Sequence, residues 1–227
     1  MADVLDTKPA ITGGAHTPQR HDSGHKHVAG TAEYIDDMLE PSGTLHAYLG
    51  LSTIGHGEIE ALGLGAVRAA PDVIDVLTPA DIPGHNDISP TRGAHDEPIF
   101  AEKHVQFFGQ PLFAVIAKTR EAARRAARLA QVDYAELPLA IDIAEARAAG
   151  RTLVTPGMKL ERGDVAAGLA GARHRVKGTV TMGGQDHFYL EGQIAFAIPG
   201  EDDEITVHSS TQHPSEIQHM VAHALNV

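Results

Sequence analysis

The sequence predicts an α+β fold, and three consecutive stretches carry that reading. PLFAVIA (Pro111–Ala117) is an unbroken apolar run of strand length, as expected for a strand covered on both faces. TREAARRAARLAQ (Thr119–Gln131) follows with helical character. Alanine dominates it, Thr119 can cap its start, and Ala122, Ala126 and Leu129 recur on one face. VDYAELP then returns to strand character.

The other elements follow in chain order. Met1 to about Lys26 holds Pro, Gly, Thr and His but few large apolar side chains, too few to offset the chain entropy lost on ordering, so a mobile arm is expected, bounded at residues 1–23. LHAYLGLST (Leu45–Thr53) reads as a strand ending before Gly55. A short helix in AVRAA is closed by Pro71. VIDVLT (Val73–Thr78) is β-branched and flanked by prolines, hence a strand. PADIPGHNDISPTRGAHDEP reads as a long surface loop. IDIAEARAAGRTLVTPGMKLER is punctuated by Gly and Pro, holds one short helix, and serves as a connection. Asp164 can cap a helix in VAAGLAGA. HRVKGTVTMG alternates Val176, Gly178 and Val180 on one face, and the expectation is a strand continuing through HFYLEGQIAFAIP, with EITVHSS as another. PSEIQHMVAHALNV is an amphipathic helix with Pro214 in its first turn and Ile217, Val221, Ala224 and Leu225 as its apolar face. No internal repeat is visible, and this last unit has few elements from which to build a free-standing core.

Composition excludes several function classes. The chain has 227 residues, room for one large or two small domains at roughly 100–200 residues each. Its 18 Lys and Arg against 30 Asp and Glu give a net charge of −12, which disfavours nucleic acid and anionic membrane as partners. It has no cysteine, so disulfides, thiolate metal sites and a cysteine nucleophile are ruled out. No apolar run approaches the ~18 residues of a membrane span, and the N-terminus lacks the basic and apolar regions of a secretory signal. The expectation is a soluble, cytoplasmic protein.

Candidate chemistry concentrates in two segments. GGQDHFYLEG (Gly183–Gly192) places a glycine pair before Gln185, Asp186, His187 and Glu191 in a strand context. Paired glycines let a backbone approach a ligand, but from the residues alone a tight bend with a polar edge is the plainer explanation. SSTQHPSEIQHMVAHAL (Ser209–Leu225) places Gln212 between a strand end and a helix start, where free N–H groups point outward. An ordinary helix start capped by Thr211 or Ser215 is the plainer explanation.

Other patterns are weaker. His16, His21, His25 and His27 enrich the arm, but no regular spacing makes them a metal site. HMVAH sets His219 and His223 at i, i+4 as in zinc hydrolases, yet Met220 stands where the base would be. Ser209 and Ser210 sit in no nucleophile elbow, and GLGAVRA departs from the dinucleotide fingerprint at its final glycine.

DSGHKHVAGTAEYIDDM, VIDVLTPADIPGHND, FFGQPLFAVIA, AARRAARLAQVDYAELP, ERGDVAAGLAGA, GGQDHFYLEGQ and SSTQHPSEIQHMVAHAL together resemble the opening of the molybdopterin-binding subunit of the xanthine dehydrogenase and aldehyde oxidase family. The resemblance runs in order over nearly all of the chain after the arm. It implies a hammerhead-like mixed α/β domain over residues 24–138, a linker over 139–159, and over 160–227 the incomplete start of a molybdenum-cofactor-binding α+β domain. It also implies that Gln212 hydrogen-bonds an oxygen ligand of molybdenum, that Gln185 contributes more weakly to the cofactor region, and that His213 and Glu216 line the substrate channel. His187 and Glu191 are expected to support that region by packing. No residue of this chain is implied as a direct metal ligand. The family's glycine-rich cofactor loop and its general-base glutamate lie in later sequence. The resemblance therefore implies no complete catalytic set in this chain, no cofactor held by it independently, and partners in the remainder of the subunit, an iron–sulfur and FAD-binding subunit, and a purine substrate. Two alternatives stand beside this: a non-catalytic docking module for the iron–sulfur or flavin subunit, and an aldehyde-type substrate.

Overall fold

Burial explains the composition of Pro111–Ala117. In a computed structural model of the chain it is the middle strand of a three-stranded antiparallel sheet, and Leu112, Phe113, Val115 and Ala117 are buried. The structure describes residues 14, 20–90, 93–151 and 159–227. Most of the expected arm, including His16, and part of the expected linker lie outside the described residues.

The elements run in order α1 (Gly24–Ala29), β1 (His46–Leu51), β2 (Gly57–Gly63), α2 (Gly65–Arg68), β3 (Val73–Leu77), β4 (His104–Val105), β5 (Pro111–Ala117), α3 (Arg120–Ala127), β6 (Gln131–Glu136), α4 (Ile143–Ala148), α5 (Val165–Gly171), β7 (Ala195–Pro199), β8 (Ile205–Ser209) and α6 (Pro214–Leu225). Single 3-10 turns occupy Ile35–Asp37 and Pro79–Asp81. The sheets have strand orders β1-β5-β3, β4-β2-β6 and β7-β8, and every pairing is antiparallel.

The chain divides into two units. The larger holds Glu40–His187 and Thr211–Val227. Its core is the stripe Ala122, Ala123, Ala126 and Ala127 of α3, together with β5 and with Val67, Val76 and Val105. Alanine suits this stripe because it lets the helix backbone approach a sheet without a cavity. The Thr119 hydroxyl accepts from the Ala122 N–H at 3.1 Å and caps the helix as its sequence predicts. The helix ends at Ala127, so Leu129 lies beyond it and is exposed, while Ala123 and Ala127 complete the buried face instead. Asp142 and Asp164 cap α4 and α5 in the same way.

A polar knot ties β1 to the FFGQP turn. Ser52 and Gln110 are both buried. The Ser52 hydroxyl donates to the Phe107 carbonyl at 3.0 Å and accepts from the Gly109 and Gln110 N–H groups, each at 3.0 Å. Gln110 Oε1 accepts from the Gln106 N–H at 2.8 Å. The turn is thus satisfied from within the protein, as buried backbone requires.

The smaller unit holds the residues up to Leu39 and Phe188–Ser210. Within it β7 pairs with β8, and the Phe196 ring stacks on its cross-strand partner His208 with ring centroids 6.1 Å apart. The Glu191 carboxylate accepts from the Ile35 N–H at 3.1 Å. Beyond the expected arm of residues 1–23, α1 begins at Gly24 and is closed by Gly30 in a left-handed conformation.

One expectation of regular structure fails outright. HRVKGTVTMG and the start of HFYLEGQ form no strand, and β7 begins only at Ala195. Val176 is wholly exposed and Phe188 is 93% exposed with φ of 47°, outside the extended region. Alternation alone does not make a strand; its N–H and C=O groups need a neighbouring strand, and among the described residues none pairs with this segment. Gln185 and His187 therefore do not lie in the strand context first expected for them. Among the described residues every buried one lies between Gly50 and Ala127, so the residues after β6 carry no core of their own.

Candidate functional site

The loop Ser210–His213 separates β8 from α6, and Pro214 at the first helical position sets where the helix begins. His213 occupies the cap position, and its side chain makes no capping hydrogen bond. The Thr211 hydroxyl instead accepts from the His213 N–H at 2.9 Å. Neither Thr211 nor Ser215 caps the helix, so that plain account of the segment is corrected.

Gln212 and His213 are exposed on this loop, and Glu216 is half-buried in the first turn of α6. A carboxylate there is favoured by the positive end of the helix whatever else it does. The three residues fall on one loop and one turn, as their spacing predicts. Gln185 and His187 are exposed on irregular chain, and among the described residues no side-chain hydrogen bond joins them to α6. Glu191 is held by Ile35 in the smaller unit. His219 and His223 are both exposed on α6. Among the described residues no group of three His, Asp or Glu side chains could hold a metal ion, and no helix is long and apolar enough to cross a membrane.

What holds α6 was not apparent from the sequence. The Gly84 N–H donates to the Ala224 carbonyl at 2.9 Å, and the His85 N–H to the His223 carbonyl at 3.0 Å. Ile217, Met220, Val221 and Ala224 line a cavity of about 460 Å³ with Ile88, Pro90, Glu97 and Ile99. The loop supplying these residues is braced in turn. Asp87 accepts from the Ser89 hydroxyl and from Ser89 N–H and approaches His95 Nδ1 at 2.6 Å, while the Ser89 hydroxyl accepts from the N–H groups of Asp96 and Glu97. The Ser89 hydroxyl is the main cause that holds the Asp87 carboxyl below its ordinary value, against the opposing effect of burial. The only sequence signal for any of this was PGHND, which reads as an ordinary turn.

Residues 29–138 match the family model described as the aldehyde oxidase and xanthine dehydrogenase a/b hammerhead domain, and residues 147–227 match the molybdopterin cofactor-binding domain. The chain belongs to the aldehyde oxidase and xanthine dehydrogenase family. Among family members, xanthine dehydrogenase of Drosophila pseudoobscura pseudoobscura is 38% identical over 208 residues, covering 91% of this chain and 15% of the relative. Aldehyde oxidase 4 of Mus musculus is 35% identical over 228 residues, covering 100% of this chain and 17% of the relative. Among solved structures, the aldehyde oxidoreductase from Desulfovibrio gigas superposes with a TM-score of 0.76 at 27% identity, over 91% of this chain and 25% of that one. Quinoline 2-oxidoreductase from Pseudomonas putida 86 gives a TM-score of 0.75 at 26% identity, over 91% and 28%. The chain therefore spans about a sixth of the length of the curated family members it matches. The α+β fold read from the sequence, a hammerhead domain followed by the start of a cofactor-binding domain, agrees with these neighbours.

Proposed function

We propose that the chain is the N-terminal portion of a molybdenum hydroxylase subunit of the xanthine dehydrogenase type, acting on hypoxanthine and xanthine with water as the oxygen source, and that it is inactive alone. In this reading residues 24–138 are the hammerhead domain, 139–159 the linker, and 160–227 the opening of the first cofactor-binding domain. The observation that carries the reading is the placement of Gln212. It is exposed at a strand-to-helix turn within the stretch that matches the molybdopterin cofactor-binding model.

The donor set fits one part of the cofactor's needs. A carboxamide offers an N–H donor and does not compete for a metal, which suits a contact to a ligand of molybdenum rather than to molybdenum itself. When bound, the molybdenum cofactor supplies the two-electron acceptor for the hydroxylation. Gln212 donates a hydrogen bond toward it, Gln185 adds a weaker contact, and His213 and Glu216 line the approach of the purine. No residue here serves as the general base, which must stand within hydrogen-bond reach of the proton it takes. That group and most of the cofactor's cradle come from the remainder of the subunit, and an iron–sulfur and FAD-binding subunit carries the electrons away, in the cytoplasm. The exposed apolar side chains after β6, Val176, Val180, Met182 and Leu190 among them, support a chain that other protein covers.

A second reading, an aldehyde substrate, is favoured by the nearly equal identity to aldehyde oxidases and xanthine dehydrogenases, 35% against 38%. The experiment for both begins with the purified 227-residue chain, which should hold substoichiometric molybdenum and hydroxylate neither purines nor aldehydes. Joined to the remainder of its subunit it should act on xanthine in preference to aldehydes, and Gln212→Ala should lower kcat by about 10–100-fold. Purine hydroxylation by the chain alone overturns the first reading. Preference for aldehydes in the joined subunit selects the second. Co-purification with an iron–sulfur subunit and full activity in the Gln212 variant would reduce the chain to a docking module.

A further inference from the structure

The loop after the Pro79–Asp81 turn closes the end of the last helix. The carbonyls of Ala224 and His223 belong to the final turn of α6, where a helix leaves acceptors without partners of its own. The Gly84 N–H reaches the Ala224 carbonyl, the His85 N–H adds to the long bond that the His223 carbonyl accepts from Asn226 at 3.4 Å, and Asn226 ends the helix in a left-handed conformation at φ of 61°. This approach requires a residue without a side chain. A β-carbon at Gly84 would lie 1.9 Å from the His223 carbonyl oxygen and 2.9 Å from the Asn226 nitrogen. Both are backbone atoms, so no rotamer change relieves the conflict.

Along one face α6 lines a cavity of about 460 Å³ together with Ile88, Pro90 and Ile99 of the same loop region. The helix is thus held by hydrogen bonds at its C-terminal end, while its first turn lacks a side-chain cap. Twelve helical residues form a rod about 18 Å long. Displacing one end of such a rod displaces the other.

We propose that Gly84 is a positioning residue for Gln212: its missing side chain allows the backbone cap on α6, and the cap sets the helix axis whose start carries Gln212, His213 and Glu216. The proposal rests on the reading of Gln212 given above. To accommodate Gly84→Ala, the loop and the helix end must separate by about 1.5 Å, from 1.9 Å to the 3.4 Å where ordinary contact begins.

The absence of cysteine makes the test direct. Nitroxide labels on Gln218→Cys of α6 and Glu60→Cys of β2, both exposed positions, report the place of the helix by electron–electron distance measurement on the full 227-residue chain. Gly84→Ala should shift or broaden the distance distribution. Gly65→Ala, where an added β-carbon meets nothing within 4 Å, should leave it unchanged, as should Val76→Ala, which weakens the buried core. An unchanged distribution in Gly84→Ala, or an equal shift in Val76→Ala, overturns the proposal. If Gly84→Ala does not fold, amide exchange on the unsubstituted chain decides. Gly84 and His85 N–H groups protected as deeply as those of α6 support the proposal, and exchange at the rate of an open loop overturns it. In the complete subunit, Gly84→Ala should alter the molybdenum spectroscopic signature in the same sense as Gln212→Ala. A moved helix with a Gln212→Ala signature identical to that of the unsubstituted subunit would sink the reading of Gln212 instead, so the two failures are distinguishable.

Discussion

The Phe113 ring lies across Gly50, its partner on the neighbouring strand, so closely that a β-carbon at Gly50 would stand 2.1 Å from Phe113 Cζ. Both residues are buried. The ring fills the space a side chain on β1 would otherwise occupy, and this contact joins the edge strand to the middle of the sheet. Gly50→Ala should therefore destabilise the chain by about 1–3 kcal/mol through overpacking. Urea denaturation checks this, and in a Phe113→Leu background the added cost of the alanine should shrink. Equal costs in both backgrounds would mean the ring and the glycine are not coupled.

Ser52→Ala removes the hydroxyl that accepts from the Gly109 and Gln110 N–H groups in the FFGQP turn. Each N–H keeps a carbonyl acceptor, that of Ser52 at 3.1 Å and that of Phe107 at 3.3 Å, so the loss is that of ordinary hydrogen bonds, about 0.5–1.5 kcal/mol. The denaturation midpoint should fall accordingly, and amide exchange at Gln110 should quicken more than exchange at Val115.

Thr119→Ala should cost about 1 kcal/mol, because the hydroxyl supplies the acceptor for the Ala122 N–H at the start of α3. Thr119→Ser should recover most of that loss in thermal unfolding. If serine fares no better than alanine, the threonine acts through its methyl group and not through the cap.

The Asp87 brace gives the loop beneath α6 a pH dependence with a definite sign. Its carboxyl lies below the ordinary value of 3.8, chiefly because of the Ser89 hydroxyl. A depressed carboxylate contributes its stability fully above the unfolded value and loses it as pH falls through the folded one. The contribution is thus complete above about 3.8 and disappears at more acid pH. In Ser89→Ala the Asp87 midpoint, followed by carboxyl carbon NMR, should move up toward 3.8. A midpoint that stays in place would assign the depression to the Ser89 N–H, which alanine retains, and to His95.

Local chemistry made much of the larger unit legible. The Thr119 and Asp164 caps and the apolar run of β5 are written in neighbouring residues and appear where their patterns put them, while the stripe of α3 keeps Ala122 and Ala126 but takes Ala123 and Ala127 in place of Leu129. The failures are non-local. Val176 and Val180 alternate as a strand should, but a strand exists only with a partner, and alternation says nothing about whether one is supplied. β2 and β4 gave little signal because glycine and charged residues dilute them, and they are held through register with β6 and with each other. At the candidate site the loop–helix order around Gln212 could be read directly. The dependence of α6 on Gly84 could not, since it arises from a contact between residues about 140 positions apart, where no periodicity reaches.

The hydrogen bond from Ile35 to Glu191 joins positions 156 residues apart. Ribosomes add about 5–20 residues per second, so the backbone N–H of Ile35 is made roughly eight to thirty seconds before its acceptor has been synthesised. The sheet of β1, β5 and β3 and the helix packed on it are complete well within that interval. The nascent chain thus carries a finished core while Ile35 still waits for a glutamate not yet translated.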